Sequence, residues 1–390
     1  MISRILFFQW NAFMQKGIER ALARLNIEYD VFYYIFKDWD NDEEFKIKFR
    51  NKLVQSSYEA VFSVNFAPVI SEVCEELGLP YISWVYDAPL HIRNTGALKN
   101  SCNTVFFFDR MQTERYRKDG VSAYHMPLAA DVESFCPEGV FVRQKPEEYS
   151  CDVSLVGKLY RSDYAYLCTP LDDYSRGYLE GVVEAQKCVY GGCFIDECLD
   201  DKFLARLNSQ YLEASKGKFS VSREEMRYAV GTEITGRERY MALALLQNRC
   251  SVRLYSSDLD ERLENVAQPG YVDYYTQMPK VFRTSKVNLN ISLKLIESGI
   301  PLRVFDVLAS GGFLITNYQA ETAEVFEPGN DLVVYENMTD LVTKVMWYLK
   351  HDEERERIAR NGFDKVKRLC TFEKRLEQIF AKSPADAIIM

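Results

Sequence analysis

Residues 1–135 alternate between two hydrophobic periods. Continuous apolar runs such as ISRILFFQW and YEAVFSVN are typical of strands that are buried on both faces. Segments with apolar residues at helical spacing, such as AFMQKGIERALARL and APVISEVCEELG, separate these runs, and Pro68 and Gly78 mark the start and the end of the second segment. Strands that alternate with helices of this length predict βαβ units around a parallel sheet.

A second series of strands begins near Cys151. CDVSLVGKLY is predicted as its first strand, and a helical region with little strand character follows over about residues 162–248. SVRLYSS, VNLNISL, GFLITN and DLVVYE are then predicted as strands, with helices between and after them. The two series predict an α/β protein in which the second domain carries a helical insertion.

The segment FCPEGVFVRQKPEEYS lies between the two series and contains Pro137, Gly139 and Pro146, which is typical of a linker. We therefore predict an N-terminal domain over residues 1–140 and a second domain over residues 147–370. The tail, residues 371–390, contains TFEKRLEQIFAK, which has the pattern of a further amphipathic helix.

Composition excludes several classes of protein. The chain has 390 residues and a net charge of −9, which argues against a nucleic-acid binder and against an anionic membrane surface as main partner. No apolar run approaches the roughly 20 residues of a membrane helix. The N-terminal run predicts a first strand and not a signal peptide. The ten cysteines form no CxxC pair, so we expect reduced thiols and a cytoplasmic protein.

Two common nucleotide-binding signatures are missing. No GxGxxG follows the first strand of either domain, and no Walker A sequence occurs, so a dehydrogenase or a P-loop NTPase is not favoured. Acidic triplets of the DxD type occur at residues 38–40, 40–42 and 258–260. Such triplets can hold a metal ion. The three triplets of this chain lie in polar loops of an acidic protein, so we expect their side chains to be solvated.

The stretch SGIPLRVFDVLASGGFLITNYQAE places Arg303 and Asp306 in an otherwise apolar segment. Pro301 and the glycines at 311 and 312 predict a helix over about residues 301–310, with both charges on one face. A cation in a first helical turn is unfavourable unless an anion binds there, and a carboxylate one turn deeper can hold the diol of a ribose. A local Arg303–Asp306 ion pair explains the same spacing.

Residues 285–365 resemble the C-terminal half of group 1-type glycosyltransferases and, more narrowly, the spore maturation protein CgeB-like family. The resemblance rests on the R-x-F-[E/D] turn before a strand of the form small-Gly-Gly-Phe-Leu-[IL]-Thr, here RVFD and SGGFLIT. YISWVYDAPL and CDVSLVGKLY resemble the domain that accompanies this half. The resemblance implies a GT-B fold, with two facing Rossmann-like domains, an active site in the cleft between them, and a last helix that returns to the N-terminal domain.

The resemblance also implies donor-binding residues. Asp306 falls where the family has the carboxylate that holds the donor ribose, and Arg303 matches the family arginine. Gly157 and Lys158 fall in the glycine turn near the diphosphate. Many retaining members have a second glutamate eight residues before the ribose carboxylate. Here that position is Ser298, beside Glu297, so the stereochemical outcome stays open.

Further candidates come from the ends of predicted strands. Asn290 and Ser292 end a buried strand just before the Arg303 helix and are candidates for donor contact. Asp87 follows the strand YISWV, where a carboxylate can take the proton of an acceptor hydroxyl, although an aspartate that caps the turn before Pro89 fits as well. His125 is a weaker candidate, since a packed histidine explains it.

These observations together predict a glycosyltransferase that moves a sugar from a nucleotide diphosphate sugar, with a UDP-sugar as the expected donor. The acceptor is a hydroxyl of a glycan, a polysaccharide or a protein. We expect no cofactor and no metal requirement. A nucleotide-sugar 2-epimerase and a non-catalytic sugar-binding protein of the same fold are the alternatives.

Overall fold

A computed structural model describes residues 2–139 and 147–381. Residues 140–146 of the predicted linker lie outside the described residues, as do residues 382–390 of the tail. Six parallel strands form the first sheet, in the order β2-β1-β3-β4-β5-β6. They are β1 (Arg4–Gln9), β2 (Glu28–Tyr33), β3 (Ala60–Val64), β4 (Tyr81–Val85), β5 (Asn103–Phe107) and β6 (Ala123–His125).

Helices lie between these strands and after β6. They are α1 (Gln15–Arg24), α2 (Glu43–Val54), α3 (Pro68–Leu77), α4 (Arg110–Lys118) and α5 (Val132–Phe135), with a 3-10 helix at Thr95–Lys99. The predicted boundaries of α3 are confirmed, since Pro68 opens it and Gly78 ends it with a left-handed φ of 62°. Strand β2 is partly exposed along its length, unlike the fully buried β3 and β4, because it lies at the edge of the sheet.

A second sheet of six parallel strands has the order β12-β11-β10-β7-β8-β9. Its strands are β7 (Val153–Val156), β8 (Val252–Tyr255), β9 (Val266–Ala267), β10 (Val287–Asn290), β11 (Leu314–Asn317) and β12 (Val333–Tyr335). A 3-10 helix at Glu147–Tyr149 precedes the sheet. The helices after β8 are α11 (Met278–Thr284), α12 (Leu302–Ala309), α13 (Ala320–Val325), α14 (Met338–Tyr348), α15 (Asp352–Leu369) and α16 (Phe372–Ile379).

The predicted insertion between β7 and β8 is helical. It contains α6 (Tyr164–Cys168), α7 (Asp173–Lys187), α8 (Ile195–Cys198), α9 (Asp201–Ala214) and α10 (Arg223–Leu246). Acidic N-caps begin α7 and α9, and Ser222 with Glu225 forms a capping box at α10. These helices enclose a hydrophobic core of their own, which includes Leu179, Leu207 and Val230. The insertion is therefore a packed subdomain.

The described residues group into two compact units. The first unit contains residues 2–139, 299–309 and 365–381, and the second contains residues 147–298 and 310–364. The predicted second domain covers residues 147–370, whereas α12 and residues 365–370 group with the first unit. Helix α16 packs against α1 within the first unit. The described chain has no helix that is long and apolar enough to cross a membrane.

Candidate functional site

The second sheet has a topological switch point between β7 and β10. The chain adds β8 and β9 on one side of β7, and β11 and β12 on the far side of β10. Open α/β sheets bind ligands outside the carboxyl ends of the strands at such a point. Gly157 and Lys158 directly follow β7, Asn290 ends β10, and Ser292 comes two residues later. The structure therefore brings these four predicted donor residues to the same edge of the sheet.

Arg239 fixes the turn after β7 to the end of β10. Its guanidinium donates to the backbone carbonyls of Lys158 and Ile291, and it lies over the ring of Tyr160 at 4.8 Å from the centroid. Gly157 has a φ of 149°, and a Cβ there would lie 3.1 Å from Arg239 Nη1. Only glycine accommodates both the backbone conformation and the buried arginine at this point.

Helix α10 carries Arg239 to the turn through a close backbone contact. A Cβ at Gly236 would lie 2.8 Å from the carbonyl oxygens of both Leu159 and Tyr160. The missing side chain therefore lets the helix lie directly on the turn. Sequence reasoning missed Arg239, because 81 positions separate it from Lys158.

Asn290 and Ser292 form a buried polar group with the end of β11. Asn290 Nδ2 donates to Ser292 Oγ at 3.1 Å and to Thr316 Oγ1 at 2.9 Å. The Ser292 amide donates to Asn317 Oδ1 at 2.8 Å. These bonds order the chain that leaves β10. Any contact of Asn290 or Ser292 with a donor stays a prediction.

The acidic triplets have partners within the protein. Asp38 and Asp40 bind Arg93, and Asp42 caps helix α2 by accepting from the Phe45 amide at 3.0 Å. In the third triplet, Asp258 accepts from the Leu159 amide at 2.7 Å and Asp260 binds Arg262. Among the described residues, no group of His, Cys, Asp and Glu side chains has an arrangement that could hold a metal ion.

Arg303 and Asp306 lie on α12 and bind each other. Arg303 Nη1 lies 2.9 Å from Asp306 Oδ2, and the Asp306 side chain is 2% exposed. The ion pair that the spacing of these two residues allowed is therefore present. The start of the segment is closely packed within the first unit, where the Gly299 amide donates to Asp109 Oδ2 at 3.2 Å and a Cβ at Gly299 would lie 2.9 Å from Asp109 Cα.

Asp87 follows β4 and is held by Asn65, which follows β3. Asn65 Nδ2 donates to Asp87 Oδ2 at 2.7 Å, and Asn65 Oδ1 accepts from the Tyr86 amide at 2.7 Å. Asn65 is buried and has a left-handed φ of 62°, a conformation that asparagine adopts more readily than most residues other than glycine. Both ends of the Asn65 amide thus order the backbone and the carboxyl group of the candidate base.

The surroundings of Asp87 suit a base. Partial desolvation by nearby protein atoms raises the pKa of the Asp87 carboxyl, while the charge of His91 and the Asn65 hydrogen bond oppose this rise. Because Asp87 is exposed as a residue, we expect the net rise to be small. Sequence reasoning missed Asn65, although an asparagine directly after the apolar strand AVFSV was a signal that could have found it.

The remaining candidates have structural partners. His125 is half-buried, and its Nε2 lies 3.3 Å from the Phe108 carbonyl oxygen. Glu297 binds Arg227 at 2.8 Å in a buried ion pair. Ser298 donates to Glu321 Oε1 at 2.7 Å, so a buried carboxylate lies beside the position where many retaining family members have a glutamate.

A second buried ion pair lies near the end of β10. Lys294 Nζ is 3.0 Å from Glu238 Oε1 and 4.0 Å from the centroid of the Tyr190 ring. Burial raises the pKa of Glu238, and the ammonium of Lys294 opposes this rise. Tyr190 belongs to the helical insertion, in which the sequence pattern indicated no site residue. No local pattern could have linked these three residues.

Comparison with known proteins identifies the fold. Residues 237–381 match the model of a family described as glycosyl transferase-like. The chain is similar to the structure of Anabaena HepE in complex with UDP and glucose, with a TM-score of 0.54, 11% identity, and coverage of 97% of this chain and 98% of HepE. The fold is the GT-B fold. No curated protein sequence matches the chain.

A second solved structure agrees. The chain is similar to sucrose-phosphate synthase from Thermosynechococcus elongatus, with a TM-score of 0.53, 12% identity, and 97% coverage of both chains. The prediction of a GT-B fold with a helical insertion in the second half is confirmed. The narrower resemblance to the CgeB-like family stays a prediction.

Proposed function

We propose that this GT-B protein is a glycosyltransferase that moves a sugar from a nucleotide diphosphate sugar to a hydroxyl group. The observation that carries the proposal is the turn after β7, which Arg239 holds at the switch point of the second sheet. The family match over residues 237–381 includes Arg239 and β10 and supports the same reading. HepE binds UDP and UDP-glucose, which makes a UDP-sugar the first donor to test.

The donor roles follow from charge and position. The turn at Gly157 and the exposed ammonium of Lys158 receive the diphosphate, because a cation compensates its charge. Arg303 is a further ligand of the diphosphate, and Asp306 accepts hydrogen bonds from the ribose hydroxyls. Arg239 is a positioning residue, since it acts through the carbonyls of the turn. Protein cations compensate the donor's charge, so the proposed reaction needs no metal and no cofactor.

Asp87 is the proposed acceptor-side base. Its carboxylate takes the proton of the acceptor hydroxyl as the oxygen bonds to the anomeric carbon and the nucleotide diphosphate leaves with the electrons of the broken C–O bond. The Asn65 hydrogen bond orients Oδ2, and partial desolvation strengthens the base. The acceptor is proposed as a hydroxyl of a glycan, a polysaccharide or a protein, and the location as cytoplasmic.

Incubation with a panel of nucleotide sugars tests the proposal. We expect slow release of the nucleotide diphosphate from one donor without an acceptor, because water replaces the hydroxyl. Conversion to a different nucleotide sugar would show an epimerase. Binding without any release or conversion would show a sugar-binding protein.

A further inference from the structure

An aromatic surface lies at the switch point of the first sheet. The chain adds β2 on one side of β1 and β3 on the other, so a ligand is expected outside the carboxyl ends of β1 and β3. Trp10 directly follows β1, and its indole Nε1 donates to the carbonyl of Val64, the last residue of β3, at 3.0 Å. The half-buried indole therefore reaches from one strand end to the other.

Trp39 extends this surface from the loop after β2. Its ring centroid lies 5.0 Å from that of Trp10, at an interplanar angle of 90°, and 4.8 Å from that of Phe36. Phe36 stacks in turn on the buried Phe8 at 5.0 Å. Both tryptophans pack against the hydrophobic core of the first unit and stay half-buried. Each indole thus has a packed side and a part that a ligand can reach.

The acidic residues on either side of Trp39 hold its loop in place. Asp38 Oδ1 accepts from the Asp40 amide at 2.9 Å. Asp40 Oδ1 accepts from the amides of Arg93 and Asn94 at 2.9 and 2.7 Å, which ties the loop to the segment after β4. The first acidic triplet therefore presents a tryptophan on a fixed loop, and a fixed ring loses little conformational freedom when a ligand packs on it.

Polar groups and the proposed base lie around the indoles. The Tyr33 hydroxyl, at the end of β2, donates to Asn11 Oδ1 at 2.8 Å, and both residues are exposed. Asn65 comes one residue after the carbonyl that binds the Trp10 indole, and its Nδ2 donates to Asp87 Oδ2 at 2.7 Å. The indole and the candidate base therefore contact adjacent residues at the end of β3.

This combination suits a sugar ring. A pyranose presents C–H bonds on its faces, which pack on the electron-rich face of an aromatic ring, and hydroxyls around its edge, which bind polar side chains. A serine or threonine hydroxyl is carried by a short side chain that covers little of such a surface. The charges near the loop, among them Lys37, Asp40 and Arg93, are of both signs, so the surface does not favour an anionic lipid.

We infer that the acceptor is a saccharide whose terminal pyranose packs on Trp10 and Trp39, with the reacting hydroxyl directed to Asp87. The inference rests on the proposed function and selects, among the acceptors named there, a glycan or polysaccharide over a protein. The acceptor oxygen bonds to the anomeric carbon, its proton goes to the Asp87 carboxylate, and the nucleotide diphosphate leaves with the electrons of the broken C–O bond.

Methyl glycosides of glucose, galactose, mannose and N-acetylglucosamine test the inference on the wild-type protein. Saturation-transfer NMR should show binding of at least one glycoside through its ring protons. With the donor that the nucleotide-sugar panel identifies, the same glycoside should speed nucleotide diphosphate release roughly tenfold or more over hydrolysis, because a bound hydroxyl replaces water.

A serine-containing peptide is the alternative acceptor in the same assay. Release that only the peptide accelerates, binding of none of the glycosides, or binding without acceleration would overturn the inference and leave the proposed function standing. No release from any donor with any acceptor would overturn both.

Trp39→Ala identifies the surface. We expect the affinity for the glycoside to fall roughly three- to tenfold in an NMR titration, the usual value of one aromatic contact, and Trp39→Phe to restore most of it because it keeps a ring. Trp347→Ala is the matched control, since Trp347 is 46% exposed but lies on α14 of the second unit. A Trp39→Ala protein that unfolds like wild type and binds the glycoside as tightly would contradict the assignment.

Discussion

Asp87→Asn separates a catalytic carboxylate from a turn-capping one. In the wild-type protein Asn65 Nδ2 donates to Asp87 Oδ2 at 2.7 Å. The substitution keeps the size of the side chain and an oxygen that can accept this hydrogen bond. It removes the ability to take a proton. General base catalysis contributes about 10²–10⁴-fold, or about 2.7–5.4 kcal/mol of barrier at 1.36 kcal/mol per tenfold. We therefore expect turnover to fall by that factor while donor affinity stays unchanged.

The pKa shift of Asp87 also predicts whether the same variant becomes more or less stable than wild type. A carboxyl whose pKa is raised in the folded state binds protons more readily there than in the unfolded chain. Its contribution to stability is present below the unfolded pKa of about 3.9 and is lost as the pH rises through the folded value. Asparagine does not ionise, so the variant does not lose this stability as the pH rises. At pH 7 it should therefore be as stable as wild type or slightly more stable.

The assay is release of nucleotide diphosphate at saturating donor, together with urea unfolding at pH 7. Asp42→Asn is the control, because it removes a carboxylate that caps α2 in the same unit, and asparagine caps helices equally well. The wild-type rate should show an acidic limb that the residual activity of Asp87→Asn lacks. Turnover within a few-fold of wild type in a folded Asp87→Asn protein would refute the role of Asp87 as base.

Three further predictions concern the donor site. Arg303→Ala should weaken UDP binding by about 1.5–3 kcal/mol in calorimetry, and unchanged affinity would leave Arg303 as an ion-pair partner of Asp306 alone. UDP binding should persist in excess chelator, because the acidic triplets have protein partners, and a strict need for Mn²⁺ or Mg²⁺ would contradict this. Gly157→Ala should lower the free energy of unfolding by about 1–3 kcal/mol and weaken UDP binding, because its Cβ crowds Arg239. Gly120→Ala, also at positive φ but in open space, should leave UDP binding unchanged in the same titration.

Hydrophobic periodicity predicted most strands of the two sheets, because strands buried on both faces are continuous apolar runs. It missed α4, whose sequence RMQTERYRK has no apolar stripe. The parallel pairing of β5 with β6 requires a crossover there, so topology identifies this helix where the pattern does not. It also missed β9, which is only two residues long and pairs with β8 at the edge of its sheet.

The candidate site was predictable only where its residues follow strands. Gly157, Asn290 and Asp87 each lie at or just after the end of an apolar run, and the parallel topology places Gly157 and Asn290 at one edge. Arg239 and Tyr190 belong to the insertion and reach the sheet through tertiary packing, which carries no local signal. The spacing of Arg303 and Asp306 fitted both a local ion pair and a donor site, and spacing alone could not decide between them.

Hydrogen exchange of the protein with and without saturating UDP tests whether the switch point of the second sheet binds the nucleotide. We expect UDP to slow exchange in the peptides that contain Gly157–Lys158 and Asn290–Ser292, at the carboxyl ends of β7 and β10. The outer strands β9 and β12 should exchange at unchanged rates. Protection at the far end of the second sheet, or no protection at a UDP concentration that saturates binding in calorimetry, would contradict the claim that the switch point binds the nucleotide.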